Sequence, residues 1–427
     1  MDKNTVIGLL LIMGLLVGYS VWMSPSKEEL KEKQRKQDSL ALVQKNMPTD
    51  TTQAQLTIEK QEEKDIQKTT ETANDSLENT SNFETQKSIY GAFVSAAQTP
   101  ENTNPIIIEN DLYKLSIGRK GGRIESVELK NVFTYDGKPV ILFDENSKNN
   151  EFGFFFFSNY LELNTNDFYF VPVSSPSSES LKVSGKDSLQ LAMRLYPNMD
   201  ENILDTNSYI EYLYTLKGND YLTSVKLRFQ GMDNYLNQTQ KELSLRWVTQ
   251  LKRQEKSYKN EKIATTVYYS DIEDVENLQE SDTKSDSVSF PASLKWISFK
   301  QHFFTSTLIA DKEFLNASMV VSMDAFDNEI NNTLKTLKAN ITFPVSNFAK
   351  DEFGFNFYFG PNKYNILKKY KIELEDQIQL GGSLISWINK IAVIPIFGFF
   401  EKFNWSYGII ILILTIILKI VLLPLAY

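Results

Sequence analysis

The stretch YIEYLYTLKGNDYLTSVKLRFQ, Tyr209–Gln230, decides the fold. Ile210, Tyr212, Tyr214 and Leu216 alternate with their neighbours. After Lys217-Gly218-Asn219-Asp220, Tyr221, Thr223, Val225, Leu227 and Phe229 alternate with Leu222, Ser224, Lys226, Arg228 and Gln230. A period of two around a Gly-Asn-Asp turn is a β-hairpin with one face buried. Outward from it the same period recurs at Leu189–Leu195, at Leu243–Trp247, and at Phe353, Phe355, Phe357 and Phe359. Many alternating strands with little helix between them predict a mainly-β, antiparallel sandwich over residues 105–362. It opens at Pro105-Ile106-Ile107-Ile108. No period repeats closely enough for a propeller or solenoid. The acidic, polar run Asp271–Ser289 reads as an exposed loop.

The flanks differ in composition. Val6–Met23 is uncharged and, as a helix, would measure about 27 Å, close to a bilayer's hydrocarbon thickness. With no A-x-A-like pair after it, residues 1–24 read as an uncleaved transmembrane anchor rather than a signal peptide. Tyr19 and Trp22 suit an aromatic belt. Residues 25–104 are rich in Gln, Lys, Glu, Thr and Asn, too polar to offset their own ordering entropy, and read as a flexible linker. Past Pro361, Lys363–Ile378 reads as a helix, broken by Gly381-Gly382. Leu384, Trp387, Ile388 and Ile391 then share one helical face opposite Ser383, Ser386 and Lys390. Such a helix can lie in a membrane interface or pack on the sheet, and its place just before an apolar run favours the interface. Pro395 is expected to kink it. Residues 363–403 are thus a helical connector.

The last stretch, WSYGIIILILTIILKIVLLPLAY, Trp405–Tyr427, is a candidate second transmembrane helix with one full charge, Lys419. An ammonium there either faces a wet interior and marks a pathway or snorkels to nearby headgroups. The sequence stops directly after Pro424-Leu425 without a polar tail, which reads as an interruption.

Composition excludes several functions. A net charge of −9 gives no basic face for nucleic acid. Cysteine is absent and histidine occurs once, at His302, so disulfides, thiolate chemistry, zinc sites and a serine–histidine relay are all disfavoured. His302 sits in an apolar-aromatic segment, where a packing histidine is expected. There is no P-loop, nucleophile elbow or dinucleotide fingerprint. The chain reads as non-enzymatic, with no catalytic residue, cofactor or metal.

Five features together carry a resemblance. They are Met1-Asp2-Lys3-Asn4 running into an anchor and polar tether; Gly121-Gly122-Arg123-Ile124; Trp296-Ile297-Ser298-Phe299-Lys300-Gln301-His302-Phe303-Phe304; Tyr358-Phe359-Gly360-Pro361 with Tyr364 and Leu367; and Asn404-Trp405 followed by the apolar run with Thr415, Lys419 and Pro424-Leu425. On these the chain resembles the amino-terminal part of the YidC family of membrane protein insertases, in the form found in double-membraned bacteria. The resemblance implies an inner-membrane, multi-pass protein whose large periplasmic domain is a β-supersandwich, similar in fold to sugar-processing domains. It implies an interfacial helix, then a membrane core of five helices enclosing a hydrophilic groove.

Residues 404–427 match the first helix of that core, and the other four are absent from the sequence. The resemblance makes Lys419 the groove cation, where most members carry arginine; lysine keeps the charge but loses the planar fork. Thr415 and Pro424 become candidate groove or helix-packing positions. The implied partners are nascent membrane proteins, the lipid bilayer and the Sec translocon, with no nucleic acid. One span cannot enclose a groove, so this stretch by itself is expected not to insert proteins. A rival reading is a double-anchored periplasmic domain that binds a glycan or a protein partner without insertase activity.

Overall fold

The computed structural model describes residues 85–144, 149–173, 180–200, 203–271, 273–324, 327–348, 350–403 and 405–426. The chain divides into two units, Met1–Ala73 and Asn74–Tyr427, and every described residue belongs to the second. The anchor expected within residues 1–24, and most of the linker, lie outside the described residues.

The hairpin that announced the fold is present. Tyr209–Lys217 and Leu222–Gln230 pair antiparallel, from Tyr209 opposite Gln230 to Leu216 opposite Thr223. Ile210, Tyr212, Tyr214 and Leu216 are all buried. The two strands belong to a nine-stranded sheet. Across it, the order is Val275–Asn277, Thr266–Ser270, Leu294–Lys300, Phe304–Phe314, Glu352–Pro361, Leu222–Gln230, Tyr209–Lys217, Ser188–Leu195 and Val171–Pro172. A six-stranded sheet centred on Thr333–Pro344 and Glu242–Lys252 packs against it. A five-stranded sheet built mainly from residues 106–143 completes the fold, and holds its one parallel pairing among the described residues, Ile106–Glu109 with Ser180–Lys182.

The core between the two large sheets is aromatic. Trp247 of the six-stranded sheet stacks on Phe299 of the nine-stranded one, ring centroids 3.7 Å apart. Phe152 meets Phe355 and Phe357, and Phe154 meets Phe355 and Phe343. These contacts follow from the alternation Phe353, Phe355, Phe357 and Phe359, which points four rings inward from one strand. On the other face of the nine-stranded sheet, pairing sets Arg194, Glu211, Arg228 and Glu352 in one row across four strands. Their charges alternate, and Glu211 lies 2.7 Å from Arg194 and 3.6 Å from Arg228. Opposite charges facing each other across strands support the register.

Three boundaries differ from the sequence reading. The linker, expected to reach residue 104, ends earlier: Gly91–Phe93 and Val94–Ala97 are helical turns on the sandwich, and Phe93 is fully buried against Phe156 and Phe168. One apolar cluster, Tyr90 to Val94, is enough to dock a segment whose average composition is polar. The run Asp271–Ser289 is not a plain loop. It contributes edge strands at Val275–Asn277 and Asp286–Phe290, and buries Leu278. Edge strands take polar residues on their outer side, so alternation alone does not reveal them. Lys363–Ile378 is not one helix, as described below.

A buried carboxyl sits under the helix Tyr258–Ala264, which Ser257 caps by accepting from the Asn260 N–H. Glu261 is fully buried and accepts from the Gln254 and Glu255 backbone N–H groups, and from Gln301 Nε2 at 3.3 Å. Burial pushes this carboxyl up to about 7 despite those donors. At the other end of the helix, Lys335 donates to the Thr265 carbonyl and Lys300 lies 3.5 Å from that of Ala264. The two ammonium groups thereby satisfy the last carbonyls of the helix.

Two stability predictions follow from these packing observations. Phe93→Ala should destabilise the sandwich by about 3–5 kcal/mol in urea unfolding, the usual loss for a buried ring; a value near zero would mean that the 91–97 segment is not part of the folded unit. Because the folded state raises the Glu261 pKa above its unfolded value near 4.5, its contribution is fully present below that pH. It is lost as the pH rises to about 7, a change of about 3 kcal/mol. Glu261→Gln should flatten the fall in stability between pH 5 and pH 8, whatever its constant effect on the hydrogen bonds.

Candidate functional site

The strand Glu352–Pro361 lies in the middle of the nine-stranded sheet, and the chain leaves it toward its apolar end. At the exit, Asn362 fastens the turn Gln301–Phe304. Its Nδ2 donates to the carbonyls of Gln301, His302 and Phe304 at 2.8, 3.1 and 3.1 Å, and its backbone N–H to Phe303 O at 2.7 Å. Two sequence features sixty residues apart, Trp296–Phe304 and Tyr358–Pro361, thus form one structure. Gly360 is required there, since a Cβ would lie 2.8 Å from Tyr221 and from the Tyr358 hydroxyl.

Lys363–Ile378, expected as a helix, instead forms, with Gln379, a strap across the outer face of the sheet. Tyr364–Leu367 is one helical turn, followed by 3-10 turns at Lys368–Tyr370 and Leu374–Gln377, with Lys371 and Glu373 left-handed. The physical reason is the sheet beneath. Leu367 and Leu374 bury against Tyr268, Trp296, Ile309 and Tyr358 in a small second core. A single helix could also set residues seven apart on one face; the helix is broken instead by the left-handed Lys371 and Glu373, between which the Ile372 carbonyl turns to accept from Trp296. Polar bonds fix the strap: Trp296 Nε1 donates to Ile372 O at 2.8 Å, and Ser298 Oγ to Gln377 Oε1 at 2.9 Å. Tyr370 donates to Asp220 at 2.8 Å, and Gln379 Nε2 donates to the Tyr268 hydroxyl at 3.0 Å. Burial, with the Asp220 carboxylate beside it, raises the Tyr370 phenol far above its ordinary range.

After Gly381, whose φ of 92° favours glycine, helix resumes. Ser383–Ile388 is α-helical, Asn389–Val393 is a π-turn, and Ile394–Glu401 is α-helical again. Pro395 was expected to kink the helix. A π-turn lies just before it, accommodating a residue without an N–H, and the run continues as α-helix through the proline. The segment is two-faced. Asn389 Nδ2 donates to Leu380 O, and Lys390 pairs with Asp376 at 2.9 Å, which holds its ammonium above the usual lysine range. Trp387 and Ile391 are 62% and 60% exposed, with Ile385 and Ile388 exposed beside them. The side chain of Leu384 lies outside the description. These apolar residues therefore do not pack on the sheet.

The exposed apolar surface continues. Phe399, Phe403, Trp405 and Tyr407 are exposed, and Phe400 stacks on Trp405 and Phe397 on Tyr407. These ring pairs join Ile394–Glu401 to the helix Tyr407–Ala426. Lys363 ties the same region to the sandwich through Glu401 at 2.6 Å. On the last helix Lys419 is exposed and Thr415 donates back to the Ile411 carbonyl at 2.7 Å; Pro424 lies within the helix. Side chains there are described only as far as Ile420. Among the described residues no helix is long and apolar enough to cross a membrane, so a spanning role for the last helix is a proposal below.

Nothing in the sequence singled out the strap or Asn362. Apolar residues spaced for two short turns carry no periodic signal, and one asparagine is silent without its partners. His302 was expected as a core or packing histidine, and it packs, though not in the core. It lies at the surface instead, with Nδ1 3.1 Å from the Glu255 carboxylate and its ring stacked on Phe303 at 4.2 Å. Among the described residues no group of three or more His, Asp or Glu is placed to hold a metal ion.

Comparison with known proteins places this arrangement. The family model for the YidC periplasmic domain matches residues 105–394. "Membrane protein insertase YidC" of Parabacteroides distasonis is 35% identical over 439 residues, an alignment covering 100% of this chain and 63% of that protein. The protein of the same name from Bacteroides fragilis is 34% identical, covering 99% and 62%, and that of Porphyromonas gingivalis ATCC 33277 is 30% identical, covering 100% and 63%. The chain thus spans less than two thirds of the length of these relatives. Among solved structures, a galactose mutarotase related enzyme from Lactobacillus acidophilus is 9% identical at a TM-score of 0.36, covering 60% of this chain and 97% of that one. A galactose mutarotase-like protein from Lactobacillus casei is 10% identical at 0.37, covering 60% and 100%. Neither likeness is near enough to carry an argument. The match to the domain model and the full-chain identity to its curated relatives are decisive: the chain belongs to the YidC family of membrane protein insertases.

Proposed function

We propose that this chain works in the insertion and folding of integral membrane proteins, at the inner membrane, with the sandwich on the periplasmic side. The observation that carries the reading is the two-faced segment 383–401. Its polar residues Asn389 and Lys390 bond toward the sandwich, while Trp387, Ile391 and Ile385 stand in solvent. A water-exposed stripe of that kind is unfavourable unless lipid covers it, and a helix lying in the interface plane is the arrangement that covers it. Leu384, Trp387, Ile388 and Ile391 then form the interfacial face, and Tyr407–Ala426 enters the bilayer as a transmembrane helix. At 1.5 Å per residue its length is about 30 Å, the thickness of a hydrocarbon core.

On this reading, the anchor in residues 1–24 makes the protein multi-pass, and Lys419 is the cation of a hydrophilic groove that receives nascent membrane chains. Thr415 and Pro424 line or pack that groove. The Sec translocon is a partner for part of this traffic, and the chain catalyses no bond chemistry. The strap gives the sandwich a fixed attachment to the interfacial helix, so that the domain and the groove move together.

Two measurements test the reading. Replacing Trp387 and Ile391 by Glu should weaken interfacial docking by about 2 kcal/mol or more, roughly thirtyfold, and lower insertion of a model membrane protein in cells relying on the full-length variant. The sandwich should meanwhile keep its unfolding midpoint, and undiminished insertion would refute the interfacial assignment. A photo-crosslinking residue at position 419 of the full-length protein should capture nascent membrane chains during translation. If crosslinks reach only lipid, Lys419 is a snorkelling lysine and not a groove cation.

A further inference from the structure

We infer that the sandwich touches the bilayer directly, through Phe303 at the tip of the turn Gln301–Phe304, with lipid at the headgroup–acyl boundary as its partner. The inference rests on the interfacial reading of residues 383–401 and extends it to the domain itself. Phe303 is 54% exposed, although it follows a strand whose other rings are buried. It stands on a stiff mount. Gln301 N–H donates to Phe304 O at 2.8 Å to close the turn, and Asn362 bonds the carbonyls of all four turn residues. His302 stacks on one side of the ring and is itself held by Glu255. A ring presented this way loses little conformational freedom on entering another phase, which favours insertion.

Position gives the partner. Asn362, which holds the Phe303 carbonyl, is followed by Lys363, whose ammonium is bonded to Glu401 at the end of the interfacial segment. Two residues further on, Asn365 lies against Gly398 of the same segment. The turn is therefore fastened to the end of the sandwich from which the exposed rings Phe399, Phe403 and Trp405 project. Phe303 thus stands on a turn bonded, through Asn362 and Lys363, to the segment that carries those rings, and exposed aromatic rings gathered at one end are what a membrane boundary selects. Lys402, exposed beside Phe403, and Lys256, exposed next to the Glu255 that holds His302, supply cations suited to phosphate headgroups. The side chains shown against the ring, His302 and behind it Glu255, are polar, so the turn itself offers no apolar socket of the kind a protein partner would need.

The test uses the absence of cysteine from these 427 residues, with any cysteine elsewhere in the full-length protein replaced by serine so that labelling is single. Full-length Phe303→Cys, Ile391→Cys and Ile330→Cys are each labelled with an environment-sensitive fluorophore and reconstituted into protein-free phospholipid vesicles. Some of the vesicles contain lipids bearing a nitroxide near the headgroup. Ile330, 95% exposed on the loop before the strand Thr333–Pro344, serves as the solvent reference. The expected result is a blue shift and nitroxide quenching at positions 303 and 391, with neither at 330. If position 391 responds and 303 stays in water, the contact of the sandwich is overturned while the interfacial helix stands. If neither responds, the interfacial reading itself fails. A response at 303 that appears only in native membranes, and not in protein-free vesicles, would assign the ring to a protein partner and overturn the lipid contact. Equal quenching at 330 would mean that the whole domain adsorbs, again against a specific contact.

Discussion

The second half of the strand Glu352–Pro361, Phe357–Gly360, is buried on both faces, and much of the architecture answers that constraint. The strand's inward rings, Phe353, Phe355, Phe357 and Phe359, need the six-stranded sheet above them. Its outward side presents Gly354, Asn356, Tyr358 and Gly360, and Tyr358 is buried only because the strap covers it. Sheets with one wet face can end in solvent, but a sheet covered on both needs a lid. Here the lid is the chain's own next segment, so closing the fold also sets the direction in which the polypeptide leaves toward its apolar helices.

Electrostatics are arranged to leave this frame undisturbed. In the alternating row Arg194, Glu211, Arg228 and Glu352 only Glu211 is buried, so the contribution of the other charges is modest and screened by salt, but a slipped register would pull these opposite charges apart. Buried charges are fewer and each has a local cause. Lys335 and Lys300 close the end of the helix that carries Glu261, and burial lowers both ammonium groups. Glu261 in turn anchors Gln254, Glu255 and Gln301, which connects the core to the turn bearing His302 and Phe303.

Legibility in the sequence followed physical periodicity. The hairpin 209–230 and the phenylalanine strand were readable because a half-buried strand leaves a period of two, and the family features at 296–304 and 358–361 were readable as words. What joins those words was not. Asn362 works through three carbonyls of a distant turn, and no local pattern betrays that. The strap failed as a single helix at Lys371 and Glu373, whose left-handed backbone no residue type announced, although Leu367 and Leu374 keep a spacing that a helix would also satisfy. Phe93 was lost in a polar average, and the edge strands at 275–277 and 286–290 were hidden by the polarity that protects edges. The amphipathic face at 387–391 was visible, because a surface helix writes its environment into every third or fourth residue. Its division by a π-turn was not.

The strap also decides where this polypeptide can be cut. A boundary drawn at residue 362, where the last strand finishes, would strip the cover from Trp296 and Tyr358 and leave the Trp296 indole N–H without Ile372. The autonomous folding unit instead runs through Gln379, whose amide still reaches Tyr268, and stops at the glycine pair Gly381-Gly382. Recombinant versions of the periplasmic portion should therefore be designed to close at that pair. Grafts that swap sandwiches between family members should likewise exchange strap and sheet as one inherited module, because each was shaped against the other.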